Sequence, residues 1–351
     1  GLLGFIRRTE RSVPKFSRDP IDHVVLVDGT MSVLDEGQET NVGLIYKLLS
    51  EVSGGANVSV IYEAGNQWTD WSRTLDIIEG RGINRQIRRA YGWLATRYRP
   101  GDRIFLIGYS RGAYAVRSLA GVIDRIGLLT KEYATERMVR EAYRHYQLDT
   151  NPEVSAEFAK SYCHPETPVE AVAVFDTVKA LGFRAPFVWK WEEVKHAFHS
   201  HHLGSSIKHG FHALALDENR SAFQPVLWES NDDWDGHVEQ VWFRGAHGDI
   251  GGQLTGFPPA RPLTNIPLTW ILSRLEACEL PLPENWRARF PTNPDAPWVG
   301  TLRGWGKYFL ARNKRVVGAD PSEAIHPTAK DRAEKFGLPI AQTEAQIASA
   351  V

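Results

Sequence analysis

The feature of this chain that most limits its fold is a set of short apolar runs with little alternation in them. HVVLV at 23–27, NVSVIY at 57–62, RIFLI at 103–107, PVEAVAVF at 168–175 and HVEQVWF at 237–243 are rich in Val, Ile, Leu and Phe. A strand with one wet face alternates polar and apolar residues, whereas a strand covered on both faces is apolar almost throughout. Helical patterns separate the runs. Thr40 or Asn41 can cap a helix through Glu51, and residues 83–98 set Ile, Ala, Tyr and Leu at helical spacing until Pro100-Gly101 stops them. Further helices are expected over 112–126, up to about Gln147, and over 267–275. Buried strands alternating with helices give an α/β fold: a mostly parallel central sheet with helices on both faces.

A chain of 351 residues can bury a large core, and no linker or repeat divides it. Residues 1–20 read as an N-terminal arm and 21–351 as a single domain. The stretch 183–204, FRAPFVWKWEEVKHAFHSHHLG, is aromatic and His-rich and is expected to form a lid over the carboxyl ends of the strands. Residues 303–351 are expected to form a polar, helical extension packed on the outside. A formal net charge of -1 offers no field for nucleic acid. Cys163 and Cys278 cannot build a disulfide framework and have no metal-ligand company. Neither a signal peptide nor a stretch of about 20 apolar residues is found. The expected location is cytoplasmic, with export by a dedicated secretion system left open and at most peripheral membrane contact.

In open α/β sheets, sites form at the carboxyl ends of the strands, where Asp28, Ser110, Asp176, His247 and Asp249 all fall. Ser110 follows the third run in Gly-Tyr-Ser-Arg-Gly-Ala. A nucleophilic serine at a strand-to-helix turn needs small neighbours because the turn is strained, and Gly108, Gly112 and Ala113 meet that need. His247, in Gly-Ala-His-Gly-Asp-Ile-Gly-Gly, is the candidate base. Asp176 is the candidate acid that orients it, and Asp249 is its rival. The order Ser, Asp, His is that of α/β-hydrolases. The backbone N–H of Arg111 and those of the loop Asp28-Gly29-Thr30 are candidate oxyanion donors. Asp28-Gly-Thr also suggests a phosphatase of the Asp-x-Asp-Gly-Thr type, but Leu26 stands where the nucleophilic Asp is required. His196, His199, His201, His202, His209 and His212 match no standard metal spacing, so no metal or other cofactor is expected.

Seven blocks carry a wider resemblance: VLVDGT, TNVGLIYKLL, FLIGYSRGAYAVRSLAGVI, VAVFDTVKALG, HALALDENRSAFQPVLW, VWFRGAHGDIGG and IHPTAKDR, in that order from residue 25 to 332. The set resembles the α/β-hydrolase-like domain of unknown function found in bacteria and fungi, which also forms the catalytic module of type VI secretion phospholipase effectors of the first lipase class. The resemblance implies serine-dependent ester hydrolysis, on phospholipid in some members. It puts the family's serine on Ser110, its strand-end Asp on Asp176 and its His-x-Asp-x-Gly-Gly on His247 and Asp249. A long appended membrane-binding module, as some effectors carry, is not expected here. The expected activity is a serine carboxylic ester hydrolase, in the direction of a lipase or phospholipase, acting on a small-molecule or lipid ester. Two alternatives stand beside it. A catalytically silent lipid- or protein-binding module predicts no reaction with serine-directed probes, and a thioesterase or amidase of the same fold would be separated by a panel of leaving groups.

Overall fold

Seven parallel strands form one sheet in the computed structural model, which describes residues 18–65, 81–148, 151–178, 202–230, 233–303 and 311–343. They are β1 (Asp22–Val27), β2 (Val58–Glu63), β3 (Arg103–Tyr109), β4 (Val169–Phe175), β5 (Ile207–Ala215), β6 (His237–Phe243) and β7 (Glu323–Ile325), in the spatial order β2-β1-β3-β4-β5-β6-β7. The helices are α1 (Asn41–Val52), α2 (Arg81–Arg97), α3 (Arg111–Arg125), α4 (Glu136–Gln147), α5 (Pro152–Tyr162), α6 (His247–Gly251), α7 (Arg261–Ala277), α8 (Trp286–Arg289) and α9 (Ala333–Phe336). The architecture is α/β, a parallel sheet with helices on both faces.

The core explains why the strand sequences do not alternate. Successive side chains of a strand point to opposite faces. Val25, Val27, Ile104, Leu106, Val172 and Val174 pack on one face against residues of α2, α3, α4 and α5. Val24, Leu26, Phe105, Ile107, Ala171 and Ala173 pack on the other against α1 and α7. Each face has its own apolar cluster, so every position is selected for apolarity. The strand order reverses at β1, with β2 on one side and β3 on the other. The carboxyl ends of β1 and β3 therefore flank a crevice, the usual place for a site in such a sheet.

Several expectations change. β5 is absent from the sequence reading because IKHGFHALA has Lys and His at its second and third positions and lies beside the His-rich stretch. β7 has three residues, too few for a periodic signal. Of the stretch 303–351 expected as a helical extension, the described residues 311–343 instead give β7, a 3-10 turn at Pro327–Arg332 and the four-residue α9. Pro321, Pro327, Gly337 and Pro339 interrupt any longer helix. This segment instead closes a third apolar cluster with Leu214, Trp242, Ile325 and Ala329. Of the stretch expected as a lid, residues 183–201 lie outside the described residues, as does 1–17 of the arm. Among the described residues, no helix is long and apolar enough to cross a membrane.

Candidate active site

β3 delivers Ser110 directly into α3. The serine has φ 59° and ψ -121°, a conformation rare for a side-chain-bearing residue. Its N–H donates to Phe175 O across to β4 at 3.0 Å, which fixes the turn. The neighbouring glycines are required by contact. A Cβ on Gly108 would sit 2.6 Å from Gly112 O, and one on Gly112 would sit 2.1 Å from Val27 O. Both obstacles are backbone, which cannot rotate away. Gly112→Ala is therefore expected to destabilise the fold by about 2 kcal/mol or more in urea unfolding, with a loss under about 0.5 kcal/mol contradicting the crowding.

His247 opens α6, just after β6 and the positive-φ Gly245. Its Nε2 lies 2.9 Å from Ser110 Oγ and its Nδ1 2.6 Å from Asp176 Oδ2. An ionised carboxylate only accepts, so Nδ1 carries the proton, and Nε2 is left to accept from the serine hydroxyl. The imidazole lies between two rings, Tyr109 at 4.9 Å and Phe223 at 4.8 Å between centroids. The His247 N–H donates to Glu218 Oε2 at 3.1 Å, and Glu218 is itself paired with Arg220. All three residues are buried, at 8 % exposure for Ser110, 4 % for His247 and 0 % for Asp176.

Asp176 directly follows β4, with φ 41°, and receives more than the histidine. Ala215 N–H donates to Oδ1 at 2.9 Å, and the Arg315 guanidinium donates to Oδ1 at 2.5 Å and to Oδ2 at 2.8 Å. Burial pushes the carboxyl up, but the Arg315 charge and hydrogen bonds, aided by His247, outweigh it and hold the group well below the usual carboxylate range. A carboxyl depressed in the folded state contributes stability that is complete above about pH 5 and is lost as pH falls through the folded value. The stability advantage of the native chain over Asp176→Asn is thus expected to shrink between about pH 5 and pH 3; unfolding free energies differing by a constant amount over that range would contradict it.

Asp249, the rival acid, is otherwise engaged. Its carboxylate accepts the N–H groups of Ala246 at 2.9 Å, Val299 at 2.6 Å and Gly300 at 3.2 Å. Burial pushes its carboxyl up. Its work is to cap α6 and tie it to the loop at 299–300.

The loop after β1 is built around Asp28, which is not open to a ligand. Its carboxylate accepts from Gly29 N–H at 2.7 Å, Thr40 Oγ1 at 2.6 Å and Tyr62 hydroxyl at 2.7 Å, and burial pushes it up. Gly29 is thereby corrected as an oxyanion donor, since its N–H is already used. Its missing side chain matters for another reason: a Cβ there would meet the Tyr109 ring at 2.6 Å. Thr30 is then the loop's remaining candidate donor beside Arg111, whose N–H opens α3 and has no intrahelical partner. The two are linked, because Arg111 Nε donates to Thr30 Oγ1 at 2.7 Å.

Among the described residues, no group of three or more His, Cys, Asp or Glu could hold a metal ion. His212 is fully buried and accepts Thr177 N–H at 3.1 Å; burial lowers its pKa to about 3. A cavity of about 590 Å³ opens at the amino-terminal ends of the strands, lined by Arg18, His23, Ser59, Arg97 and His164 among others, away from the Ser110 crevice. Arg315, Phe223 and Glu218 are the site residues the sequence reading missed. Glu218 and Phe223 lie inside the block HALALDENRSAFQPVLW, which gave them no role, and Arg315 lies in an irregular segment outside every block, so only the chain's path brings the three to the imidazole.

Among known proteins, an uncharacterized protein of Saccharomyces cerevisiae is 30% identical over 165 residues, covering 44% of this chain and 23% of that protein. Two solved structures align at low similarity. An uncharacterized protein from Pseudomonas aeruginosa gives a TM-score of 0.45 at 13% identity, over 78% of this chain and 49% of that one. The Tle1 effector bound to the VgrG spike from the type VI secretion system gives 0.39 at 18% identity, over 69% and 53%. The chain thus spans about a quarter of the curated relative and about half of each solved chain. The family described as "T6SS, Phospholipase effector Tle1-like, catalytic domain" matches residues 22–274, well over half of the sequence, and the chain belongs to that family.

Proposed function

We propose that this domain hydrolyses carboxylic esters of lipids through a serine nucleophile and an acyl-enzyme intermediate. The observation that carries the reading is one continuous hydrogen-bonded chain: Ser110 Oγ to His247 Nε2 at 2.9 Å, and His247 Nδ1 to Asp176 Oδ2 at 2.6 Å. Membership of a phospholipase effector family supports the lipid ester as substrate.

In this mechanism Ser110 Oγ attacks the ester carbonyl while His247 Nε2 takes its proton. Asp176 stays ionised and stabilises the imidazolium that forms. The carbonyl oxygen becomes an oxyanion held by the N–H groups of Arg111 and Thr30, with the amino-terminal end of α3 adding its positive dipole end. Collapse expels the alcohol, which takes the proton from His247 Nε2 and leaves an ester on Ser110. Water then attacks that ester, giving its proton to His247. The fatty acid leaves and the serine regains its proton.

The reading is tested with p-nitrophenyl acetate through decanoate and with phospholipid vesicles, following released acid. Turnover is expected on the esters, rising with acyl length, and on the vesicles. A folded protein inert towards all of them would contradict it.

A further inference from the structure

We propose that Arg315 is a positioning residue of the active site: its guanidinium holds both oxygens of Asp176 in place for His247 and sets how far into acid the site stays active. This inference rests on the serine mechanism above and adds a fourth member to it. Arg315 lies beyond the 22–274 match to the family, in a segment the sequence analysis assigned to an outer extension.

The side chain of Arg315 is fully buried, as is that of Asp176. Nη1 donates to Asp176 Oδ1 at 2.5 Å and to Ala215 O at 2.9 Å, while Nη2 donates to Asp176 Oδ2 at 2.8 Å and to Phe223 O at 2.5 Å. The planar fork meets the carboxylate head-on, one N–H group to each oxygen, and leaves it one orientation, with Oδ2 shared between the guanidinium and the imidazole. The contact to Phe223 O anchors the residue whose ring lies on His247, so one side chain fixes both the partner of the imidazole and one of its walls. A lysine could bring the charge but not the fork.

The charge has a second consequence. An aspartate beside a histidine favours the imidazolium, and a cation on the aspartate offsets that effect. The groups facing His247 are Asp176 from the end of β4, Arg315, Glu218 and Arg220 from the loop after β5, Ser110 and Tyr109 from β3 and its turn, and Asp249 on its own helix. Glu218 is paired with Arg220, and Asp249 is turned to backbone donors. Removing Arg315 thus leaves Asp176 as the one unbalanced charge in contact with the ring. The imidazolium is then favoured, and a higher pH is needed before the base is free.

The test is the pH profile of kcat/KM on a p-nitrophenyl ester for the native chain, Arg315→Lys and Arg315→Ala, the last with and without guanidinium chloride at non-denaturing concentration. For Arg315→Ala the acid limb is expected to move up by about one pH unit or more, with kcat down about 100-fold and partly restored by guanidinium. For Arg315→Lys the limb should stay near the native one while kcat falls about tenfold. Profiles that keep the native acid limb in Arg315→Ala would overturn the proposal, whatever the loss in stability. If Arg315→Ala does not fold, Arg315→Lys decides: native kcat with one contact instead of a fork overturns the positioning role. Fluorophosphonate labelling of Ser110 in the native chain tests the serine mechanism without changing Arg315, so a failure here is distinguishable from a failure of that mechanism.

Discussion

Ser110→Ala is expected to lower ester hydrolysis by about 10⁴-fold or more while changing stability by less than about 1 kcal/mol. The loss is large because the attacking atom itself is removed, and the histidine and oxyanion donors alone give only weak catalysis. The fold should tolerate it. The serine side chain's hydrogen bond is to His247, and alanine meets the positive φ at this position with little more strain than serine does. Kinetics with p-nitrophenyl butyrate and urea unfolding on the same preparation check both halves. Activity within tenfold of native would remove Ser110 from the chemistry.

The second large effect separates the two acids. Asp176→Asn is expected to cost about 10³- to 10⁴-fold in turnover, because an amide facing Nδ1 can stabilise the wrong tautomer and cannot balance the imidazolium. It should also cost about 3 kcal/mol in stability, since Arg315 is left buried without its counter-charge. Asp249→Asn should leave turnover within about tenfold, because the side-chain oxygen can still accept from Val299 or Ala246. Measured together, the two variants give opposite rankings under the two assignments. Turnover lost in Asp249→Asn and kept in Asp176→Asn would make Asp249 the acid.

Much of the framework is legible in the sequence because it depends on local rules. Strands buried on both faces are apolar throughout, which is why β1, β3 and β4 stand out. Gly108, Ser110 and Gly112 stand out because a strained turn admits few residue types, and contact distances at those glycines give the reason. Residues at strand ends converge by topology, so Asp28, Ser110, Asp176 and His247 could be listed together from strand positions. What the sequence hides is set by long-range packing. Near its start β5 carries Lys208 and His209, whose polar side chains mask a strand that turns apolar later. The sequence puts Asp176 first and keeps Asp249 as its rival because both follow strands, and only the hydrogen bonds divide them into one facing His247 and one capping α6. Arg315 reaches the site from 139 residues away in an irregular segment, and no periodicity or motif announces it.

The central claim is that Ser110 is an activated nucleophile, and covalent labelling tests it most directly. The native protein, incubated with a fluorophosphonate and mapped by mass spectrometry, should carry one adduct on Ser110, absent from Ser110→Ala. A folded protein that takes no adduct, or takes it on another residue at the same rate in the variant, would contradict the account.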